Sequence, residues 1–482
     1  MAAGDAVERL LSAGAVVRLQ EAIEAAGDDG DGAWIVGGAV RDALLGHDVT
    51  DVDLVVAGDP ERVARAIAGH LDGIAFELSD EFDTWRAQGR SLDWQVDVTG
   101  LRGSTIEGDL ELRDFTVGSI AVPIGGGPLI DPLGGLGDIQ DGVLRAVSDR
   151  ALTDDPLRVM RAARLSSQFG WEIDPETVGL AREAAPELDS VAGERVLSEF
   201  LLLVGSRDPL RGVEALDRVG AMAAVLPELA GLKGVIQGPN HHLDVYGHTI
   251  EVLEGVLRIE TELDRFVGDS AARTSELLSE PLADGIDRAV GLRLGALFHD
   301  CAKPETRTER DGFVGFRGHD EVGASKVTEM FARLRASRRL AGHVADLTRH
   351  HLILGFMAAG DPPTPDQVYR YLKETSPVSV DVTLLTVADR LAARGTGPVA
   401  STEMVEAHLE LASQMVAEGL TWRENGPPRL PISGDRLARE VGIEEGPELG
   451  QLIERLEGAV WTGEVESASD AVALAREMVR DG

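Results

Sequence analysis

The chain has 482 residues, more than one compact domain holds, so we expect two to four domains. Its 46 basic and 83 acidic residues give a net charge of −37, which excludes a uniformly basic nucleic-acid coat and a polybasic membrane binder. Any nucleic-acid partner would therefore need a local basic surface. A hydrophobic content of 43% excludes a wholly disordered chain.

Membrane attachment and disulfide bonding are not expected. No apolar run approaches the ~18 residues of a membrane span, and the first residues lack the apolar stretch of a secretory signal. Cys301 is the only cysteine, so an intramolecular disulfide and a CxxC metal site are excluded. These features together predict a soluble, cytoplasmic protein.

The first 150 residues combine helical and strand patterns. Apolar residues recur at helical spacing over 1–28, and a short apolar strand follows at 33–36. A glycine pair then precedes a helical stretch that should stop at Gly46. Further strands are expected at residues 73–78, 94–99 and 115–123. This segment should therefore fold as an α/β domain.

Beyond residue 150 the pattern is almost entirely helical. Pro156 occupies a plausible first helical position. Small and polar residues at 268–287 suggest an insertion loop, and residues 421–431 suggest a linker. We therefore expect four domains: an α/β head at 1–150, a helical neck at 151–235, a helical body at 236–400 and a helical tail at 401–482.

Two aspartates in the head are candidate metal ligands. Asp51 and Asp53 alternate with Val52 and Leu54, so a strand would place both carboxylates on one face. Acidic oxygens hold Mg²⁺, and backbone near a glycine turn can approach a triphosphate, as phosphoryl transfer requires. Asp97, in a later strand, could add a third ligand. From the spacing alone, a solvated strand edge beside turn residues is the alternative.

The residues around this pair carry a family resemblance. The stretch GGAVRDALLGHDVTDVDLVV at 37–56 closely resembles the signature of class II tRNA nucleotidyltransferases, the CCA-adding enzymes, and of bacterial poly(A) polymerases in the same superfamily. Later segments follow in the family's order: LRDFTVGSIAV at 112–122, DPLGGLGDIQDGVLRAV at 131–147, DDPLRVMRAARLSSQFGWEID at 154–174 and ERVLSEF at 194–200. The resemblance implies a polymerase-β-like head that adds CCA to tRNA 3′ ends from CTP and ATP without a template.

The resemblance also assigns roles to individual residues. Asp51 and Asp53 would hold the catalytic Mg²⁺ ions. The positions assigned to the triphosphate are Gly37, Gly38 and Arg41, and those assigned to the ribose are Arg113 and Asp114. Two positions depart from the family pattern, because Leu112 stands at a usual arginine and Gly118 at a usual asparagine. These departures affect the expected ribose contacts and not the metal site.

Asp155 and Arg158 are candidates for selecting the base. They are three residues apart and can meet on one helix face. Cytosine and adenine each present an amino donor beside a ring-nitrogen acceptor, so a carboxylate with a guanidinium fits both and rejects uracil and guanine. The resemblance supports this role, and Arg161 and Arg164 would extend a phosphate-facing track. The alternative is that Asp155 caps a helix and the arginines form a solvated face.

Histidines cluster in the expected body. Eight of the eleven lie between His241 and His351, and the segments around them resemble the HD superfamily of metal-dependent phosphohydrolases. The resemblance assigns a transition metal or Mg²⁺ to the following ligands: His248, His299, Asp300 and Asp389. His319 and His351 could complete a second metal position. For His343 and His350 we expect structural roles.

These resemblances leave alternatives open. Within the same chemistry, the chain could be a poly(A) polymerase or a split enzyme that adds only C or only A, because these enzymes share the carboxylates and the base-reading pair. In another class, the HD body would be the main activity, a phosphohydrolase on nucleotide or RNA-end phosphates, with the head only binding RNA. The expected partners are tRNA, CTP and ATP.

Overall fold

The structure is a computed structural model that describes residues 3–25, 32–49, 51–79, 83–91 and 94–481. The chain forms two compact units. The first comprises Met1–Val191 and Ser206–Val225, and the second comprises Ala192–Gly205 and Leu226–Gly482. None of the described helices is both long and apolar enough to cross a membrane.

The first unit contains a mixed sheet. Its strands are β1 Ala33–Val36, β2 Asp51–Val56, β3 Gly73–Ser79, β4 Thr84–Gly89, β5 Gln95–Gly100 and β6 Ala121–Pro123. They pair in the order β3-β4-β5-β2-β1-β6, with β2 parallel to β5 and the other neighbours antiparallel. Two short parallel strands follow, β7 Val143–Leu144 and β8 Glu172–Ile173.

Helices surround this sheet and continue beyond it. In chain order they are α1 Ala3–Ser12, α2 Gly14–Ala25, α3 Gly38–Leu45, α4 Pro60–His70, α5 Ile106–Leu110, α6 Gly135–Asp141, α7 Ala151–Asp154, α8 Leu157–Phe169, α9 Pro175–Ala184, α10 Gly193–Val204, α11 Pro209–Arg218 and α12 Ala221–Val225. Short 3₁₀ helices lie at Thr116–Gly118 and Ala185–Ser190. Of these elements, α10 belongs to the second unit.

The second unit is mainly helical. Its further helices are α13 Pro227–Ala230, α14 Val245–Thr261, α15 Leu263–Val267, α16 Ala271–Leu278, α17 Arg288–Phe298, α18 Lys303–Thr306, α19 His319–Arg333, α20 Arg338–His350, α21 Ile353–Ala358, α22 Pro365–Thr375, α23 Ser379–Ala392, α24 Thr402–Asn425, α25 Gly434–Val441, α26 Pro447–Trp461 and α27 Ala468–Asp481. Two hairpins interrupt them, β9 Pro281–Ala283 with β10 Ile286–Asp287, and β11 Thr308–Arg310 with β12 Phe313–Gly315. Short 3₁₀ helices lie at Gly268–Ser270 and Pro398–Ala400.

The expected architecture, an α/β head followed by helices, is confirmed. The predicted strand at 33–36 has those bounds, and the following helix ends at Gly46 in the left-handed conformation, φ 82°. In β2, Val52 and Leu54 are buried while the two aspartates between and before them are exposed. Alternation of apolar and acidic residues therefore set the strand's two faces.

Some expectations for the first unit were wrong. The helix expected over 1–28 is two helices separated at Ala13, and residues 26–28 lie outside the described part of the chain. The strand expected over 115–123 is formed only at Ala121–Pro123, because Gly118 N–H and Ser119 N–H donate to nearby carbonyls in a 3₁₀ turn. Strand β4 was not expected, because its polar sequence TWRAQG lacks an apolar stripe.

Two expectations for the second unit were also wrong. The segment 268–287 is ordered as a 3₁₀ helix, α16 and the β9–β10 hairpin, and Leu277 and Leu278 are buried. The proposed linker at 421–431 is helical through Asn425, because α24 continues into it and buries Trp422. In both segments a few apolar anchors outweigh the polar composition.

Gly135 at the start of α6 provides a test of the head's packing. A Cβ there would lie 2.1 Å from the carbonyl oxygen of Thr116, so the backbone would have to move. We expect Gly135→Ala to lower the unfolding free energy by about 1–3 kcal/mol in urea denaturation. Gly137→Ala in the same helix is the control, since nothing lies within 4 Å of its Cβ position. Equal stability of the two variants would contradict this packing.

Candidate functional site

Strand β2 presents the two predicted metal ligands on one face. Asp53 lies beside Asp97 of β5, and Gln95 Nε2 donates to Asp51 Oδ1 at 3.0 Å. The Asp53 side chain reaches solvent, but the surrounding protein shields its carboxyl group from water, and this desolvation raises its pKa. Asp97 and Asp51 raise this pKa further, while Arg113 lowers it. The donor set fits a divalent cation, which would relieve the repulsion between these acids.

Asp97, the suggested third ligand, is already engaged. Arg86 of β4 donates to both of its carboxylate oxygens, Nε to Oδ1 at 2.7 Å and NH2 to Oδ2 at 2.8 Å. The pairing follows from strand register, since the two residues lie opposite each other on β4 and β5. The sequence analysis missed Arg86, because nothing along the chain indicates that it lies opposite Asp97. Arg86 itself is the positive group near the Asp51 and Asp53 carboxylates, and Asp97 balances its charge locally.

The glycine turn lies directly against this site. Gly37 has φ 67° and ψ −130°, and a Cβ there would lie 3.3 Å from both Asp53 Oδ2 and Arg113 NH1. Glycine is therefore required both by conformation and by space. Arg113 is held in place by Asp109, whose Oδ2 accepts from Nε and NH2 at 3.2 and 3.1 Å. Asp109 is fully buried and was missed, although its spacing four residues before Arg113 is a usable signal.

Arg41 lies beside Gly38 at the start of α3. It is 8% exposed, its Nε donates to Asp42 Oδ1 at 2.9 Å, and its guanidinium lies 4.5 Å from the ring centre of Phe169. Burial lowers the pKa of Arg41. A Cβ at Gly38 would lie 3.5 Å from Arg41 NH2. The glycine pair and Arg41 therefore form one local group, and their contact with a triphosphate stays a prediction.

Asp114 connects the predicted ribose position to α8. Its Oδ1 accepts from Phe115 N–H at 2.8 Å, and its Oδ2 pairs with Arg161 Nε at 3.0 Å. Burial alone would raise the pKa of Asp114, but Arg161 lowers it. A Cβ at Gly118 would lie 3.3 Å from Asp114 Oδ1, so the family's asparagine would contact this carboxylate. Arg164 NH1 donates to Gln168.

The two predicted base-reading residues make structural contacts. Asp155 Oδ1 accepts from Leu157 N–H at 3.2 Å, which is a capping contact. Arg158 NH1 donates to the carbonyls of Arg113 and Ala151, both at 2.9 Å, and NH2 donates to Leu112 O at 3.0 Å. Arg158 therefore holds the segment that carries the predicted ribose residues. Sequence reasoning missed this role, and base reading stays a prediction.

The second unit brings the predicted HD ligands together. His248 Nε2 lies 3.0 Å from Asp389 Oδ1 and 3.7 Å from Asp300 Oδ2. His299 Nε2 lies 3.1 Å from Asp300 Oδ2. On the other side of the carboxylate, Asp300 Oδ1 is 3.2 Å from His319 Nε2 and 3.8 Å from His351 Nε2. Asp300 thus lies between two adjacent groups of three ligand atoms that could each hold a metal ion.

Backbone contacts orient the imidazoles. The Nδ1 atoms of His299, His319 and His351 lie 2.6–2.9 Å from the carbonyls of residues 296, 316 and 348. In the neutral ring the Nδ1–H must donate there, which leaves each Nε2 lone pair directed at the cluster. His248 Nε2, His299 Nε2 and both Asp300 oxygens are buried, and none of them makes a hydrogen bond of favourable angle with the described residues, although charged neighbours lie close. This donor set fits a metal ion.

Charge within the cluster supports the same conclusion. Burial alone would raise the pKa of Asp300, but His299 and Lys303 hold it well below its usual range. Burial lowers the pKa of His351 to about 4, so that ring is neutral near pH 7. Lys303 Nζ lies 2.6 Å from Asp300 Oδ2. The carboxylates are therefore ionised and His351 is unprotonated, as metal ligands must be.

Two histidines lie apart from this cluster, as expected. His343 Nε2 lies 3.8 Å from Asp381, which pairs with Arg288 in the interior. His350 is half-buried and is in none of the described metal-ligand groups. Burial lowers the pKa of both imidazoles. The preference for structural roles at these positions therefore agrees with their surroundings.

The adjacent pair His350 and His351 provides a matched test of the metal cluster. We expect His351→Gln to weaken Mn²⁺ binding at least ~10-fold, because it removes one ligand atom of the second group. His350→Gln should leave binding unchanged. Isothermal titration of the full chain with Mn²⁺, supported by thermal melts, measures both. Equal Mn²⁺ affinity in the two variants would place the metal elsewhere.

Comparisons with known proteins agree with this geometry. Family models match the Poly A polymerase head domain at residues 33–145, the probable RNA and SrmB-binding site of polymerase A at 170–232 and the HD domain at 245–394. The A-adding tRNA nucleotidyltransferase of Deinococcus radiodurans is 34% identical, over 93% of this chain and 96% of the relative. The CC-adding tRNA nucleotidyltransferase of Thermus thermophilus is 32% identical, over 92% of each chain.

A solved structure shares the fold. The Thermotoga maritima CCA-adding enzyme, solved as a complex with tRNA, has a TM-score of 0.63 at 21% identity over 98% of both chains. With the carboxylate pair of the head and the histidine cluster of the second unit in place, the relatives fix the classification. The chain belongs to the tRNA nucleotidyltransferase family, in its HD-containing form, and is a nucleotidyltransferase.

Proposed function

We propose that this protein adds the CCA end to tRNA from CTP and ATP without a template. The observation that carries the proposal is the carboxylate pair of β2 beside Gly37, where even a Cβ would lie 3.3 Å from Asp53 Oδ2 and Arg113 NH1. Glycine therefore lets the main chain lie close to the carboxylates, where the triphosphate is proposed to bind. The relatives named for A addition and CC addition use the same chemistry class, so the extent of addition is the finer part of the proposal.

The carboxylates would position Mg²⁺ in the head. When bound, the metal lowers the pKa of the RNA 3′ hydroxyl and stabilises the departing pyrophosphate. Gly37 and Gly38 have no side chains of their own that would keep a triphosphate from their main-chain N–H groups. Arg113, fixed by Asp109, supplies a positive group next to Asp53. Asp114, kept ionised by Arg161, offers an acceptor for a ribose hydroxyl.

Base selection is proposed for Asp155 and Arg158. A carboxylate that accepts from the amino group and a guanidinium that donates to the ring nitrogen suit C and A alone. Asp155 Oδ1 caps α8, and the terminal nitrogens of Arg158 donate to backbone carbonyls. The proposal gives each residue base recognition as a second role beside this structural one.

Asp53→Ala tests the proposed metal ligand. We expect incorporation to fall on the order of 1,000-fold or more, because the phosphoryl-transfer charge loses its counter-ion. The melting temperature should stay unchanged or rise slightly, since repulsion from Asp97 and Asp51 is removed. Glu77→Ala is the control, because it also removes an exposed acid from the sheet. Through the register of the strands Glu77 lies in line with Leu54, on the face of the sheet opposite to Asp53. Retained incorporation in Asp53→Ala would refute the assignment.

Product length separates full CCA addition from the alternatives. The substrates are tRNA without its CCA end, tRNA ending in both cytidines, and complete tRNA, each with CTP, ATP or both. Three additions followed by a stop support CCA addition. Two cytidines only, or one adenosine only on the cytidine-ended tRNA, assign a split enzyme. Long adenosine tails assign a poly(A) polymerase.

Asp155→Asn separates base reading from capping. Asparagine caps a helix about as well as aspartate, so the melting temperature should not change. If Asp155 reads the base, the amide presents a donor where only an acceptor fits, and discrimination against UTP and GTP should fall roughly tenfold or more. Relative incorporation efficiencies for the four nucleotides measure this. Unaltered selectivity would leave Asp155 with its capping role alone.

A second activity is favoured by the histidine cluster. All HD ligand positions are filled and their donor atoms converge, and Asp300 and Asp389 line a cavity of about 590 Å³ within the second unit. We propose that this unit hydrolyses nucleotide or RNA-end phosphates with a transition metal or Mg²⁺. Hydrolysis of 2′,3′-cyclic phosphates by the wild type, lost in His351→Gln but kept in His350→Gln, is the expected result. Absence of hydrolysis with Mn²⁺, Ni²⁺, Co²⁺ and Mg²⁺ would make the cluster structural.

A further inference from the structure

Among the described residues, Arg390 is the buried arginine that lacks a carboxylate partner. Three arginines of the described chain are buried, and two of them pair with acids, Arg41 with Asp42 and Arg288 with Asp381. Arg390 is 8% exposed, and no carboxylate of the described residues lies within ion-pair distance of it. Its one hydrogen bond runs from NH1 to the carbonyl of Val399 at 3.2 Å. A buried guanidinium with four unused N–H groups is costly without a ligand.

Arg390 lies in a cavity next to the candidate metal ligands. The residue lines the 590 Å³ cavity of the second unit and directly follows Asp389 of the metal cluster. Lys303 also lines this cavity, but its ammonium group pairs with Asp300 and donates a hydrogen bond to Gln237. The volume falls within the ~300–1,000 Å³ range of small-molecule sites. An anion bound here would therefore meet the free guanidinium next to the metal ligands.

A large aromatic ring lies beside this charge. Phe356 is 74% exposed and lines the same cavity. Its neighbour Gly355 lies near the guanidinium, since a Cβ added at Gly355 would be 3.1 Å from Arg390 NH2. Exposed phenyl rings next to a phosphate-binding group suit a nucleobase, which stacks on the ring. The neighbouring apolar lining, Leu352 and Met404, suits the same group.

We propose that Arg390 binds the phosphate of a nucleoside phosphate in the HD cavity and that Phe356 receives its base. Guanidinium matches the geometry of two phosphate oxygens, which a lysine does not. The inference rests on the proposed hydrolytic function of this unit for its substrate class, but binding and hydrolysis are separable by experiment. The same chemistry is presented by a free nucleotide and by the 3′-phosphate end of an RNA.

The test measures binding to the full-length protein with Mn²⁺ present. Inorganic phosphate and adenosine 3′-monophosphate are titrated by equilibrium dialysis, and Mn²⁺ affinity is measured in parallel. Arg390→Met should weaken phosphate binding at least about tenfold and leave Mn²⁺ binding within about twofold. Arg390→Lys should fall between the two. Arg394→Met, which removes an exposed charge just beyond the end of α23, is the matched control.

Arg390→Met with phosphate affinity within about twofold of the wild type would overturn the proposal, and so would an absence of phosphate binding in the wild type. If Arg390→Met does not fold, Gly355→Ala serves instead, because its methyl group displaces the guanidinium and should weaken phosphate binding about threefold or more. None of these substitutions touches the first unit, so binding by the head contributes equally to every measurement.

Phe356→Ala tests the base. It should weaken adenosine 3′-monophosphate binding about fivefold or more while phosphate binding stays within about twofold. Unchanged nucleotide binding in this variant would refute the role of Phe356.

An RNA oligonucleotide with a 3′-phosphate, compared with the free nucleotide, identifies which of the two ligands binds more tightly. Arg390-dependent binding without hydrolysis of cyclic phosphates would reject the hydrolytic function and keep the binding site. Hydrolysis without Arg390-dependent binding would reject the proposed binding site and keep the hydrolytic function.

Discussion

The head depends on one constraint, that strand β2 must bury its apolar side chains while it carries two carboxylates. Alternation solves it, because Val52 and Leu54 enter the core and Asp51 and Asp53 emerge on the other face. Parallel pairing with β5 then brings Asp97 beside Asp53, and like charges accumulate. Arg113 and Arg86 offset part of this negative charge, and the conformation and close packing of the turn require Gly37. A bound metal ion would complete the charge balance.

Arginines fix the surroundings of the head site through the backbone as much as through acids. Two nitrogens of Arg158 donate hydrogen bonds to three backbone carbonyls, and these bonds connect α8 to the segment of Arg113 and Asp114. Arg161 adds an ion pair to the same segment. The two motifs, far apart in sequence, therefore act as one element. A substitution at Arg158 would also disturb the segment of Arg113 and Asp114, so Asp155 is the cleaner position for testing the proposed base selection.

In the second unit the organising group is the buried Asp300. Four imidazoles and a lysine approach its carboxylate, and backbone carbonyls fix the tautomers of three of those rings. Such an arrangement leaves lone pairs and negative charge at the centre of the cluster, with buried atoms that lack partners. Arg390 presents the opposite case, a buried positive charge without a carboxylate partner among the described residues. The cavity therefore places a candidate metal-binding group beside the proposed anion-binding group.

The sequence by itself determined the fold class, the faces of β2 and the candidate ligands at both sites. These are local properties, since alternation over six residues and adjacent motif residues are read directly along the chain. It could not determine which distant residues meet. The register of β4 against β5, which pairs Arg86 with Asp97, and the helix packing that leaves Arg390 without an acid are set by the whole chain. Polar strand β4 and the ordered segment 268–287 were missed for the same reason, because contacts with distant residues outweighed local composition.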